Sequence, residues 1–236
     1  MAYLHPTYII WHDLLLSHFG RKPLTILDYG CGNGALLATI PKQMISSYTG
    51  FDVNSAGLAV ARKKYREKIY RFSIFTAGEI PTLGRVDSYD LVILIGVLQY
   101  MTDEEINVFL TKAYQSLKPG GILAISCVGD HAIYRFTNFY QLFFRNRYLN
   151  RHDLNTKITN LGFKIIQQFE RGLIIGPLFS HGLVILFDAL DKLIFHNRGK
   201  LGPIGSWARQ AALPFMNFEC KIPLDYGYTL YVMAQK

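Results

Sequence analysis

Hydrophobic positions along this chain come in two patterns, short continuous runs and stripes at helical spacing. The runs are LTILD (24–28), YTGFDV (48–53), RFSIFTA (71–77), YDLVILI (89–95) and ILAISCV (122–128). Between them, residues 54–68 read as a helix, and Ile106, Phe109, Leu110, Ala113 and Leu117 recur at intervals of three and four. Thr102 and Glu105 form a capping-box signal for that second helix, and Lys118-Pro119-Gly120-Gly121 stops it. A helical stretch is also expected from Ala35 towards Ile45, and an amphipathic helix over 3–19 with Tyr8, Trp11 and Leu15 on one side. Strands alternating with helices predict βαβ units. Strands apolar throughout, rather than at every second position, predict a parallel sheet covered on both faces.

After residue 130 the pattern loosens. A basic aromatic stretch (131–149) leads to a short helix around 151–161, a sixth strand KIIQQFE (164–170), a low-charge region (172–218) and a closing strand within 224–235. LVILFDALDKLIF (183–195) places Leu183, Leu186, Phe187, Leu190 and Ile194 on one helical stripe. The expected organisation is a single domain over 1–236, with an N-terminal lid helix (1–20) and a hydrophobic helical insertion (172–223) before the last strand.

Composition narrows the partners. With 50% hydrophobic and 18% charged residues among 236, the chain is neither a disordered tail nor a fibrous rod. The net charge of +8 is concentrated in residues 61–71 and 131–171, each +5. Such a balance allows nucleic acid, anionic lipid or acidic substrates, and equally a solvated helix face. Basic and aromatic residues interleave at Tyr134, Arg135, Phe144 and Arg145, but at spacings that also serve a packed helix, so nucleic acid is not the expected partner. Cys31, Cys127 and Cys220 share no metal-like spacing and fit a reduced, cytoplasmic setting. No signal peptide or metal site is expected. The uncharged stretch 172–187 falls short of the ~20 residues a membrane span needs. A mean hydropathy of +0.15 keeps a peripheral membrane contact among the expectations.

The chemically suggestive residues, Asp28, Gly30, Gly32, Asp52, Glu79 and Gly96, all fall at carboxyl ends of the early strands, where an open parallel sheet binds its ligand. Glycines after the first strand let backbone approach a ligand, and Asp52 ending the second can accept ribose hydroxyls. A nucleoside ligand follows. Gly30, Gly32 and Ala35 also satisfy the dinucleotide pattern, which leaves a nicotinamide oxidoreductase open, although Asp28 would face a pyrophosphate unfavourably.

The segments LDYGCGNG (27–34), FDVN (51–54), AGEIP (77–81), SYDLVILIGVLQYM (88–101) and LKPGGILAIS (117–126) together resemble the class I S-adenosylmethionine-dependent methyltransferases, small-molecule type. The resemblance covers roughly residues 20–130. It implies a doubly wound, mostly parallel, seven-stranded Rossmann-like α/β sheet and S-adenosylmethionine as cofactor. By position, it implies that Asp28, Gly30, Cys31 and Gly32 line the methionine end and that Asp52 holds the ribose hydroxyls. Val53 and Ile80 would lie against the adenine, Glu79 near its amino group, and Ile95, Gly96 and Val97 under the sulfonium. Where the family commonly shows two histidines, this chain has Gln99 and Tyr100.

Methyl transfer relies mainly on holding donor and acceptor in near-attack geometry, so no catalytic dyad is required. His131, beside Asp130 just past the fifth strand, is the candidate base. Ile95-Gly96-Val97-Leu98 contains no Asn/Asp-Pro-Pro-Tyr sequence, which by resemblance argues against methylation of adenine or glutamine amides. The expected activity is methylation, at oxygen, of a small hydrophobic or lipid-linked acceptor. The alternatives are a sugar or glycan acceptor and a non-catalytic cofactor-binding scaffold.

Overall fold

The computed structural model describes residues 5–76, 78–81, 86–131, 147–172, 187, 190, 191, 193, 194, 202–222 and 226–236. Most of the basic aromatic stretch 131–149, the uncharged stretch 172–187 and the stripe 183–195 lies outside them.

Seven strands form one sheet: β1 (Leu24–Tyr29), β2 (Ile45–Asp52), β3 (Tyr70–Ile74), β4 (Tyr89–Ile95), β5 (Leu117–Val128), β6 (Lys164–Arg171) and β7 (Thr229–Gln235). Their order is β3-β2-β1-β4-β5-β7-β6, parallel except that β7 runs antiparallel to both its neighbours. The helices are α1 (Pro6–Phe19), α2 (Ser55–Lys64), α3 (Asp103–Ser116), α4 (Arg151–Asn160) and α5 (Pro203–Glu219).

The apolar strands explain the layering. Successive side chains leave a strand on opposite faces. Ile26, Leu91, Ile93, Ile122 and Ala124 therefore enter one core with Trp11 and Leu15 of α1 and Leu58 of α2. Leu27, Val92, Leu94, Leu123 and Ile125 enter the other, with Ile106, Phe109 and Leu110 of α3 and Leu154 and Ile158 of α4. Because both faces are buried, no polar alternation survives in the sequence. The expected doubly wound sheet is the observed one.

Local signals at α3 hold as well. The Thr102 amide donates to Glu105 Oε2 at 2.7 Å and the Glu105 amide to Thr102 Oγ1 at 3.2 Å, satisfying two orphan donors. Two expectations need correction. Residues 32–39 form turns rather than a helix running towards Ile45, followed only by a 3₁₀ turn at Lys42–Met44. Thr39 closes back on Leu36 through both its amide and its hydroxyl, and Pro41 next in line disfavours helical backbone at the residue before it. The Lys118–Gly121 stretch is not a break before the fifth strand but a bulge inside it. Tyr89 pairs with Leu117 and Leu91 with Ile122 across that irregularity.

In the carboxyl-terminal region, α5 begins at a fully buried carboxylate. Asp191 Oδ1 accepts the Ile204 amide at 3.0 Å and Oδ2 the Gly205 amide at 2.8 Å, while the N-cap residue, Gly202, offers no side chain. A Cβ on Gly202 would lie 2.4 Å from Asp191 Cγ, so glycine is what lets the cap close.

Candidate functional site

The carboxyl ends of β1, β2 and β4 are stitched together by main chain. The Gly30 and Cys31 amides both donate to the Phe51 carbonyl, at 2.7 and 3.0 Å. Asp52 completes the weave: Oδ2 accepts the Gly32 amide and Oδ1 the Asn54 amide, each at 2.7 Å. One carboxylate thus fixes the glycine turn after β1 to the turn opening α2. Gly30 has φ +83°, and a Cβ there would stand 2.2 Å from Val97 Cγ2. The backbone crosses the end of β4 at a distance that admits no side chain.

Asp28 is buried one step below this turn and accepts the Tyr48 hydroxyl at 2.6 Å. Burial pushes its carboxyl up to about 7; the Tyr48 hydrogen bond opposes the rise and the nearby Asp52 carboxylate adds to it.

Two cavities open at this edge. The smaller, about 310 Å³, is lined by Gly30, Asp52, Val53, Ile80, Ile95 and Gly96 among others. The larger, about 750 Å³, draws on Thr7 and Tyr8 of α1, Ser126 to Val128 of β5, Leu213 and Met216 of α5, and Tyr228, Thr229 and Tyr231 around the start of β7. Ile95, Gly96 and Tyr100 line both.

Most residues anticipated from the sequence converge here, with differences. Asp52, Val53, Ile80, Ile95, Gly96, Val97 and Gly30 line the smaller cavity. Cys31 turns its thiol into the core beside Leu36 and Tyr48, and burial holds that thiol far above its ordinary range. Glu79 is exposed and is not among the lining residues, and the acid that joins Asp52 in lining the smaller cavity is Glu105, the capping-box residue of α3. Tyr29, Phe75 and Met101 line it too, and none of them was anticipated. Gln99 is buried against the larger cavity, its Oε1 without a hydrogen-bond partner among the described residues. His131 Nε2 sits 2.6 Å from Oε2 of the buried Glu170, which also accepts the Gly227 amide at 3.1 Å, and the imidazole packs on Tyr226.

Comparison with known proteins decides between the nucleoside ligands. Residues 26–121 match the sequence profile of a family described as a methyltransferase domain, and those residues build the strand ends just described. By that match, residues 26–121 form a methyltransferase domain. The chain aligns with a ubiquinone biosynthesis O-methyltransferase of Chelativorans sp. (strain BNC1), 29% identical over 126 residues, covering 49% of this chain and 48% of that protein. It aligns also with a malonyl-(acyl-carrier protein) O-methyltransferase of Priestia megaterium, 31% identical over 117 residues, covering 49% and 41%. The chain spans about half the length of these relatives. In three dimensions the methyltransferase domain resembles a SAM-dependent methyltransferase from Archaeoglobus fulgidus, with TM-score 0.62 and 17% identity over 97% of this chain and 94% of that one, a likeness of fold. Its cofactor is S-adenosylmethionine. The side-chain-free approach at Gly30 and the carboxylate ending β2 fit that ligand.

Proposed function

We propose that this methyltransferase places S-adenosylmethionine in the smaller cavity and methylates a hydroxyl of a small, hydrophobic or lipid-linked acceptor held in the larger one. The observation that carries this reading is the shared neck: Ile95, Gly96 and Tyr100 line both cavities, so a donor in one meets an acceptor in the other. The O-methyltransferase names of the two relatives support oxygen as the target.

When bound, S-adenosylmethionine supplies a methyl group on a sulfonium, whose transfer to oxygen is an in-line displacement. Asp52 is held by two backbone amides and retains lone pairs for the ribose hydroxyls. Val53 and Ile80 would cover the adenine, and Glu105, rather than the exposed Glu79, would supply the acid on that side. Tyr100 and the buried Gln99 stand where the acceptor's polar group arrives. His131 is the proposed base: with Nε2–H donating to the Glu170 carboxylate, Nδ1 is the ring nitrogen left to accept a proton. Peripheral contact with a bilayer belongs to the same reading.

Titration calorimetry with S-adenosylhomocysteine, with NADH as control, tests the cofactor. Micromolar binding of the first ligand alone is expected, and binding of NADH alone would redirect the search to hydride transfer. A labelled-methyl screen of apolar phenols and fatty acyl acceptors tests the substrate class. The hydroxyl and amide groups of Ser126, Ser206, Gln210 and Thr229 in the larger cavity favour a second reading, a sugar hydroxyl, which the same screen separates.

A further inference from the structure

The helix α5 is apolar on two sides. Its inner side buries Ala208, Ala212, Leu213 and Met216 and contributes Leu213 and Met216 to the larger cavity. Its outer side presents Trp207, Phe215 and Phe218, which are 72%, 62% and 70% exposed, with Ala211 and Pro214, also exposed, between them. At about 100° per residue these five positions fall within one narrow stripe. Leu193 and Ile194, on the segment that Asp191 pins to the start of α5, are exposed as well.

We propose that this stripe seats α5 on an anionic lipid surface, with the helix lying in the headgroup plane and the acceptor cavity directly behind it. Three observations select that occupant. Charge is the first: the only charged residues of α5 are Arg209 and Glu219, the acid is buried, and the exposed Lys221 follows. In a chain of net charge +8, no exposed acid on this helix opposes anionic headgroups. The second is the make-up of the stripe, a tryptophan and two phenylalanines with a lysine at the end, the composition that interfacial helices use. The third is continuity with the cavity. Passing from the outer to the inner side of α5 means crossing one helix diameter of about 10 Å, a short path for an acceptor that resides in the bilayer. With 17 residues and Pro214 inside, α5 lies on a membrane, and no helix among the described residues is long and apolar enough to cross one.

The inference rests on the reading of a hydrophobic acceptor and is tested apart from it. The chain has two tryptophans, Trp11 wholly buried and Trp207 exposed, so a change in emission on lipid binding reports Trp207. The intact protein is titrated with phosphatidylcholine–phosphatidylglycerol vesicles and with phosphatidylcholine alone, with brominated acyl chains as quenchers. The expected result is co-flotation, a blue shift and quenching on the anionic vesicles. Trp207→Ser/Phe215→Ser/Phe218→Ser should lose at least about tenfold in vesicle affinity while binding S-adenosylhomocysteine as before. Quenching in the unsubstituted protein needs no variant, so a misfolded variant does not rescue or sink the idea. Absence of co-flotation with both vesicles overturns it, as does binding that is equal on both and survives the substitutions. A dimer in light scattering that the substitutions dissolve assigns the stripe to a second copy and overturns it too. Vesicle binding without S-adenosylhomocysteine binding would sink the cofactor reading and leave this surface standing.

Discussion

The two cavities are built by opposite means. The smaller is held by main chain: the amides of Gly30, Cys31, Gly32 and Asn54 converge on one carbonyl and one carboxylate, all between residues 30 and 54. The larger is enclosed mainly by side chains of elements far apart in sequence. The Tyr231 hydroxyl that meets Thr7 Oγ1 at 3.2 Å spans 224 residues. Backbone geometry is insensitive to which side chains evolve around it, whereas a chamber of side chains can be re-cut one residue at a time. The first arrangement suits a fixed ligand, the second an acceptor that differs from one relative to the next.

Substitutions can break that contrast, beginning with the largest effect. Asp52→Ala removes the acceptor of two amides and of the ribose. We expect S-adenosylhomocysteine affinity to fall by about 100-fold or more, read by calorimetry; an unchanged affinity would end the assignment of the smaller cavity. Gly30→Ala puts a methyl on Val97 at positive φ, and a loss of about 1–3 kcal/mol in urea unfolding is expected. Equal stability to the parent would show that the crossing at β4 is loose.

Asp28 gives a pH signature. Its carboxyl stands at about 7 in the folded protein against 3.8 as the ordinary value, so the folded state holds this proton more tightly than the unfolded chain. Its contribution to stability is therefore greatest at low pH and is lost as pH rises towards 7, with a slope of up to about 1.4 kcal/mol per pH unit. Asp28→Asn should flatten that part of the curve in urea titrations across the range, and identical slopes in both proteins would refute the shift. A cationic ligand placed near Asp28 favours the ionised form, so binding should tighten through the same range. The smallest effect belongs to the acceptor side. Gln99→Met replaces a carboxamide whose Oε1 lacks a partner among the described residues, so a gain of about 1 kcal/mol in stability is expected together with weaker acceptor turnover. A stability loss instead would mean that Gln99 serves the core.

The same contrast explains what could be read from the sequence. The places of Gly30 and Asp52 at the strand ends beside the smaller cavity were legible because a glycine turn and an acid ending a strand are local signals, and the apolar runs located the strands for the same reason. Glu105 was read only as a helix cap. That it also lines the smaller cavity depends on where α3 starts relative to β4, which no local pattern encodes. His131 drew attention beside Asp130, yet the carboxylate that holds it is Glu170, brought across from β6. The lining residues of α5 carried no signal beyond a mixed helical piece, because their role depends on packing against α1 and the start of β7.

The antiparallel strand has a consequence for synthesis. In the sheet, β6 has β7 as its neighbour and β7 lies between β5 and β6. While residues 229–235 are still inside the ribosome, β6 has nowhere to dock and β5 shows an open edge of unpaired amides and carbonyls among apolar side chains. The strand ends after β1, β2 and β4 can form before β7 emerges, but the larger cavity must wait for the strand that joins β6 to the sheet. A nascent chain stalled before β7 would therefore carry an unfinished, sticky flank beside its first strands, the state in which a chaperone would find it.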